Sequence, residues 1–264
     1  MRIVRFENSA RQPQFGLVEG DAIVPLDGNP IDAVKKSGGA TVPLQKAKLL
    51  APIAPPNLIA IGRNYVEHAK EGNDVPPKAP IVFLKATTTI IAAGDPIVLP
   101  EMAPKAVDYE AELAVVIGKT ANHVSETDAL KYVFGYTCAN DVSARDCQRN
   151  DPQWARGKSF DTFAPLGPWI ETAVSPADLK ISLRLNNTVM QDARTSLMIF
   201  NVPFLISYLS RCMTLLPGTV ILTGTPAGCG FAKVPPVWLK PGDDVVVEIE
   251  GIGSLRNSVK AFTS

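Results

Sequence analysis

Along most of this chain the apolar residues fall in short runs or alternate with polar ones, and turn formers separate the runs. That is the pattern of β-strands. Residues 2–26 alternate around a turn at Glu19-Gly20-Asp21 and read as a hairpin or meander. Residues 31–36 read as a brief helix stopped by Gly38-Gly39. Pro43, Pro52, Pro55 and Pro56 mark an irregular connector. A boundary near residue 50 therefore divides a small β-rich N-terminal module (1–50) from a main domain (51–264). The main domain opens on a buried strand, Leu58–Gly62, followed by a helix over 64–71 that Gly72-Asn73 ends. The polar, proline-rich stretch 72–80 reads as a mobile connection, and a helix beside it suits a lid. Further strands are predicted over Ile81–Lys85, 90–100, 108–118, 135–141 and 179–185, the last turning at Asn186-Asn187. Ser125-Glu-Thr-Asp128 has the form of a capping box and opens a helix through Val133. Pro203 suits the first turn of a helix over 204–213, whose broad apolar surface implies burial on several sides. A strand from Val220 feeds the glycine-rich loop Thr223-Gly-Thr-Pro-Ala-Gly-Cys-Gly, and residues 245–262 form a terminal hairpin. The fold class is mixed α/β, mostly β.

Composition narrows the partners. The 264 residues carry 26 basic and 26 acidic side chains, so the formal net charge is zero. With no basic excess and no charge runs, neither nucleic acid nor an anionic membrane is expected as a partner. No apolar run approaches the roughly 18 residues of a membrane helix, and the start, Met1-Arg-Ile-Val-Arg-Phe-Glu, is no signal peptide. Cys138, Cys147, Cys212 and Cys229 show no Cys-x-x-Cys spacing and read as reduced thiols of a cytoplasmic protein.

The strand over 108–118, Asp-Tyr-Glu-Ala-Glu-Leu-Ala-Val-Val-Ile-Gly, is acidic in its first half and apolar in its second. Alternation puts Glu110 and Glu112 side by side on one face, near a buried edge. Two carboxylates that close do not both ionise without a cation between them. Asp141 ends the strand 135–141 and supplies a third acid. Three oxygen donors without thiolate or imidazole suit Mg²⁺ or Mn²⁺ better than zinc. Taken as a pair alone, the glutamates read better as a solvated strand face bonded to Lys or Arg. His68 and Glu71 share one face of the 64–71 helix. A carboxylate on an imidazole makes a general base, although an exposed ion pair has the same spacing. Arg145, Gln148 and Lys158 sit in loops rich in aromatics and proline and are candidates to hold an anion, or equally surface ion pairs. His123 has no such partner and reads as a surface residue.

Several segments, taken in order, resemble the fumarylacetoacetate hydrolase superfamily. They are Gly62-Arg-Asn-Tyr-Val-Glu-His-Ala-Lys-Glu, Tyr109-Glu-Ala-Glu-Leu-Ala-Val-Val-Ile-Gly, Gly135-Tyr-Thr-Cys-Ala-Asn-Asp-Val-Ser-Ala-Arg-Asp, Lys158-Ser-Phe-Asp-Thr-Phe-Ala-Pro-Leu-Gly-Pro, Gln191 with Ser196-Leu-Met-Ile-Phe, and Thr223-Gly-Thr-Pro-Ala-Gly. The likeness runs from about residue 58 onward and is nearest the acylpyruvase and 2-hydroxyhepta-2,4-diene-1,7-dioate isomerase branch. It implies a β-roll with a variable N-terminal module, assembled as a homodimer. It implies Mg²⁺ or Mn²⁺ on Glu110, Glu112 and Asp141, and a lid bringing His68 and Glu71 over the metal. Lys158 resembles the family's active-site lysine. Gln148 resembles its polarising glutamine, and Arg63, Tyr65, Arg145 and Thr225 fall among its substrate contacts. The implied reaction is hydrolysis of a C–C bond in a small anionic 2,4-dioxo acid, by way of an enolate held at the metal, with His68 and Glu71 activating water. Decarboxylation of an oxaloacetate-type 2-oxo acid and isomerisation of the dienedioate pass through the same kind of enolate and stand as alternatives. A metal-binding scaffold without catalysis is the alternative of another class.

Overall fold

The computed structural model describes residues 1–263. About 38% of the chain is strand and 16% helix. The long sheet runs Val42–Pro43, Ala22–Pro25, Pro13–Glu19, Arg2–Glu7, Ala164–Glu171, Val133–Asn140, Ala111–Ile117, Val220–Leu222, Leu58–Gly62, Ile81–Lys85. A smaller sheet orders Thr188–Arg194, Lys180–Leu185, Asp244–Ile249, Gly253–Ala261 and Ile97–Leu99. The N-terminal strands continue the long sheet, because Arg2 and Ile3 pair with Glu171 and Ile170.

Strand Ala111–Ile117 lies at the centre and is buried along its whole length. Its odd residues Leu113, Val115 and Ile117 pack into the core between the sheets, with Ile181, Leu183, Val245 and Val247 of the small one. Its even residues Ala114 and Val116 pack on the other face, against Ala60, Leu166 and Leu222. Burial on both faces is why the run Leu113 to Ile117 is continuously apolar rather than alternating.

Two expected helices are absent. Residues 31–36 form turns that begin with amides of Asp32 and Ala33 donating to Asn29, and Lys36 then bridges to Leu26. After Ser125 the capping box does close, the Asp128 amide donating to Ser125 Oγ and Ser125 Oγ to the Asp128 carboxylate. Only a 3₁₀ turn, Ala129–Tyr132, follows. Sheet pairing of Val133 with Ile117 takes the chain away from the helix. The helix after Asn201 spans Val202–Cys212, capped by Asn201 Oδ1 on the Phe204 amide. It buries one face, Leu205, Ile206 and Leu209, while Phe204 and Tyr208 stack along its flank. Among the described residues no helix is long and apolar enough to cross a membrane.

Candidate active site

Glu110 enters, and Glu112 lies within, the central strand, and the neighbouring strand Val133–Asn140 delivers Asp141 beside them. Ala111 pairs with Asn140 in that ladder. The Asp141 amide then donates to the Glu110 carbonyl (2.9 Å), and the Glu110 amide to Asn140 Oδ1 (2.9 Å). All three carboxyls are buried, and each offers an oxygen within 4.8 Å of the others.

Buried cations face them. Lys158 Nζ donates to Glu110 Oε2 (2.7 Å) and Asp141 Oδ2 (2.7 Å). Lys85 Nζ donates to Asp141 Oδ1 and to the Val142 carbonyl (3.2 Å). Arg145 donates from Nε to Asp108 Oδ2 (2.9 Å) and from Nη1 to Gln148 Oε1 (2.9 Å). Its Nη2 lies 2.7 Å from Glu110 Oε1 but at an angle that makes an ion pair without a hydrogen bond. Asp108 also accepts from the amides of Gly230 (2.8 Å) and Phe231 (3.1 Å), so it fastens the loop beyond the central sheet to the site. Four buried carboxylates, Asp108, Glu110, Glu112 and Asp141, thus meet three buried cations, Lys85, Arg145 and Lys158.

This arrangement divides the charge unevenly. Burial alone would raise the Glu110 carboxyl, but Lys158 and Arg145 outweigh it and hold the group well below the usual carboxylate range. Burial raises Glu112 well above that range, and the anions of Asp141 and Glu110 push the same way. Among the described residues Glu112 makes no ion pair; one of its oxygens accepts from the Gly224 amide (2.7 Å). An uncompensated buried carboxylate between two others fits a hard divalent cation. Glu110, Glu112 and Asp141 are the residues that would hold it.

The helix Val66–Glu71 brings His68 to the cavity that the three carboxylates line. His68 Nδ1 is 2.8 Å from Glu71 Oε1, and Glu71 Oε2 accepts from the Gly228 amide (2.7 Å). The imidazole is buried and meets the edge of Phe231 at 6.0 Å between centroids. Gly228 has φ +109°, and a Cβ there would run into the Met190 carbonyl, so glycine is required for the loop to reach Glu71. Behind His68 lies Cys229, whose thiol burial pushes up, aided by Asp108 and Glu110.

A cavity of about 430 Å³ joins His68 to the three carboxylates, with Arg145, Gln148 and Lys158 in its wall. Arg63 and Arg149 also line it. Arg63 pairs with Asp74 (2.9 Å) and lies over the Trp154 ring. Thr225 reaches the wall too, but its hydroxyl donates to the Ala111 carbonyl (2.9 Å) and accepts from Gln191 Nε2 (2.8 Å), which ties the loop to the central strand. Tyr65 does not line the cavity. It is buried at the start of the helix with its hydroxyl unpartnered, and burial, then the nearby Glu112 carboxylate, push its phenol up. His123 is exposed and bonded to Asn122.

Four contributors had no role assigned to them from the sequence alone. Asp108 has a signal, since it precedes Glu110 by two on the same face. Lys85, at the end of an apolar strand, has none that separates it from a surface lysine. Asn64 is fully buried, and its side chain donates to the carbonyls of Phe200 (2.9 Å) and Thr223 (2.7 Å) and accepts from the Phe200 amide (2.8 Å). Gln191 lay within a recognised motif, and its Oε1 accepts the Ala111 amide (2.9 Å) at the root of the metal strand.

Known proteins resemble this chain over most of its length. Residues 57–260 match the family model described as fumarylacetoacetate (FAA) hydrolase C-terminal, and residues 1–52 match one described as Rv2993c-like, N-terminal. An uncharacterised protein of Archaeoglobus fulgidus is 51% identical over 220 residues, 83% of this chain and 85% of that one. Human mitochondrial oxaloacetate tautomerase FAHD2A is 48% identical over 224 residues, 83% of this chain and 71% of that one. A solved structure of 2-hydroxyhepta-2,4-diene-1,7-dioate isomerase from Mycobacterium marinum superposes with a TM-score of 0.89 at 40% identity, covering 100% of both chains.

Proposed function

This chain belongs to the fumarylacetoacetate hydrolase family, and on that premise we propose that it catalyses metal-dependent enolisation of a small anionic 2-oxo acid. Keto–enol tautomerisation of an oxaloacetate-like dicarboxylate is the reading we place first. The observation that carries it is a His68–Glu71 hydrogen bond facing, within one cavity, three carboxylates and the Lys158 ammonium. The names of similar proteins support the same reaction class, oxaloacetate tautomerase and dienedioate isomerase.

Mg²⁺ or Mn²⁺ on Glu110, Glu112 and Asp141 would polarise the 2-oxo group as a Lewis acid, an effect of several kcal/mol. The protein's own groups supply the rest. Burial pulls Lys158 down, but Asp141 and Glu110 more than offset it, so its ammonium stays charged and donates to oxygen on which negative charge develops. Glu71, accepting from Nδ1–H of His68, leaves Nε2 as the basic nitrogen. Nε2 takes the proton from the carbon next to the 2-oxo group and returns it at the other end of the enolate. Gln148, held by Arg145, orients the substrate carboxylate, and Arg63 and Arg149 in the wall suit a second carboxylate. Phe231 and the closed helix keep bulk water from the imidazole.

A second reading is hydrolysis of a 2,4-dioxo acid of the acylpyruvate or fumarylpyruvate type. The same hydrogen bond favours it, because a base so oriented also activates water. The experiment is product analysis with Mg²⁺ or Mn²⁺ and an EDTA control, on oxaloacetate, acetylpyruvate, fumarylpyruvate and the dienedioate. Metal-dependent decay of the oxaloacetate enol absorbance without pyruvate supports tautomerisation. Pyruvate plus a second acid from an acylpyruvate shifts the assignment to C–C hydrolase, and pyruvate from oxaloacetate alone to decarboxylase. No turnover of any, with metal bound, sinks the proposal. We propose in addition that the chain forms a homodimer; exposed Met102 and Phe262 beside one apolar groove support a covered face there.

A further inference from the structure

Behind the cavity wall, on the far side of His68, lies a second group of metal-ligating side chains that the enolisation chemistry does not use as a group. His68, Glu71 and Cys229 each offer a donor atom within 4.8 Å of the other two. Cys229 Sγ lies 3.7 Å from His68 Nδ1, and Nδ1 lies 2.8 Å from Glu71 Oε1. Around tetrahedral zinc, bond lengths near 2.0 Å to nitrogen or oxygen and 2.3 Å to sulfur place neighbouring N and S donors about 3.5 Å apart, and N and O donors about 3.3 Å apart. The sulfur–nitrogen separation needs to close by about 0.2 Å, and the nitrogen–oxygen one needs to open by about 0.5 Å. The donors come from two elements, the short helix Val66–Glu71 and the loop after Val220–Leu222. The Gly228 amide on Glu71 already holds those elements together.

We propose that His68, Glu71 and Cys229 form an inhibitory site for a thiophilic divalent cation, of the zinc or cadmium class. Its preference is opposite to that of the carboxylate trio. Imidazole with thiolate selects soft and borderline metals, whereas Glu110, Glu112 and Asp141 select hard ones. On binding, the Cys229 S–H bond breaks and its proton leaves to solvent, so one dication, one thiolate and one carboxylate sum to zero charge. The metal takes the Nδ1 lone pair, and the single proton of the neutral imidazole then resides on Nε2. That removes the basic nitrogen assigned above, so inhibition rests on that reading while the site itself does not. The metal also staples the helix to the loop and holds the cavity closed.

The test is a Cd²⁺ titration of the Mg²⁺-saturated full-length protein, reading the ultraviolet thiolate-to-cadmium charge-transfer band and turnover together. The band is expected to saturate at one equivalent as turnover falls, to persist in Cys212→Ser and to vanish in Cys229→Ser. Cadmium affinity is expected to fall by about 100-fold in His68→Gln, which decides the matter if Cys229→Ser does not fold. A band unchanged in Cys229→Ser, an unchanged affinity in His68→Gln, or turnover lost without any band overturns the site. A one-equivalent band that depends on Cys229 and His68 while turnover is unaffected upholds the site and instead overturns His68 as the base.

Discussion

Lys85 and Lys158 reach the two oxygens of one carboxylate, Asp141, yet their charges are held differently. Burial lowers both. For Lys158 the anions of Asp141 and Glu110 more than offset it, whereas for Lys85, Asp141 offsets only part and Lys158 adds repulsion. Removing the Lys158 ammonium strips Glu110 and Asp141 of their shared cation. Lys158→Met is therefore expected to destabilise the metal-free protein by about 3–5 kcal/mol in urea unfolding. Lys85→Met leaves Asp141 bonded to Lys158 and is expected to lose about 1–3 kcal/mol. Equal losses would contradict the assigned division of charge. At the imidazole, His68→Ala is expected to lower kcat for tautomerisation by about 10²–10⁴. Retention of wild-type kcat would mean that the proton moves by another group.

At the scale of elements, the short helix Val66–Glu71 has too few residues to stand alone. Its place is set at both ends by bonds to distant segments. Asn64 ties its entry to Phe200 and Thr223, and Gly228 holds Glu71 in its last turn. Asn64→Ala deletes three buried hydrogen bonds and is expected to cost about 2–4 kcal/mol. Because those bonds position the helix, the variant should also lose kcat under conditions where circular dichroism shows it folded. Wild-type kcat in the folded variant would show that the helix needs no such anchor. The strand Ala111–Ile117 works the other way. Its ladders on both sides place Glu112 with little freedom, and Gln191 fixes its first amide.

For the molecule as a whole, the carboxylate centre links stability to pH and to metal. Burial and neighbouring anions raise Glu112 in the folded state above its unfolded value. A group raised in this way stabilises the fold at low pH, and the contribution is lost as pH rises through the folded value. The metal-free protein is therefore strained by ionised Glu112 at high pH, where a bound cation compensates the charge. Saturating Mg²⁺ at about 100 times its Kd is expected to add about 2.7 kcal/mol. The rise in Tm is expected to grow from acidic to mildly alkaline pH, as calorimetry would show. A rise independent of pH would place the cation away from Glu112.

The sequence by itself determined the strand-rich class, the apolar central strand and the three acids, because strand alternation and continuous apolar runs are local properties of the chain. It also carried the His68–Glu71 spacing, since one helical turn brings residues three apart together. The two failed helices mark where local signals yield. The bonds of the capping box at Ser125 form, yet pairing of Val133 with Ile117 overrides the helix they would begin. Only the tertiary structure decided that Lys85 belongs to the charge centre, that Arg145 and two loop amides close on Asp108, that Asn64 anchors the helix, and that the Tyr65 hydroxyl is buried near Glu112 without a partner. It likewise brought Cys229 against an imidazole 161 residues earlier in the chain. The reason is physical: whether a charged or polar side chain meets water or another buried group depends on which distant segments cover it, and no local pattern records that.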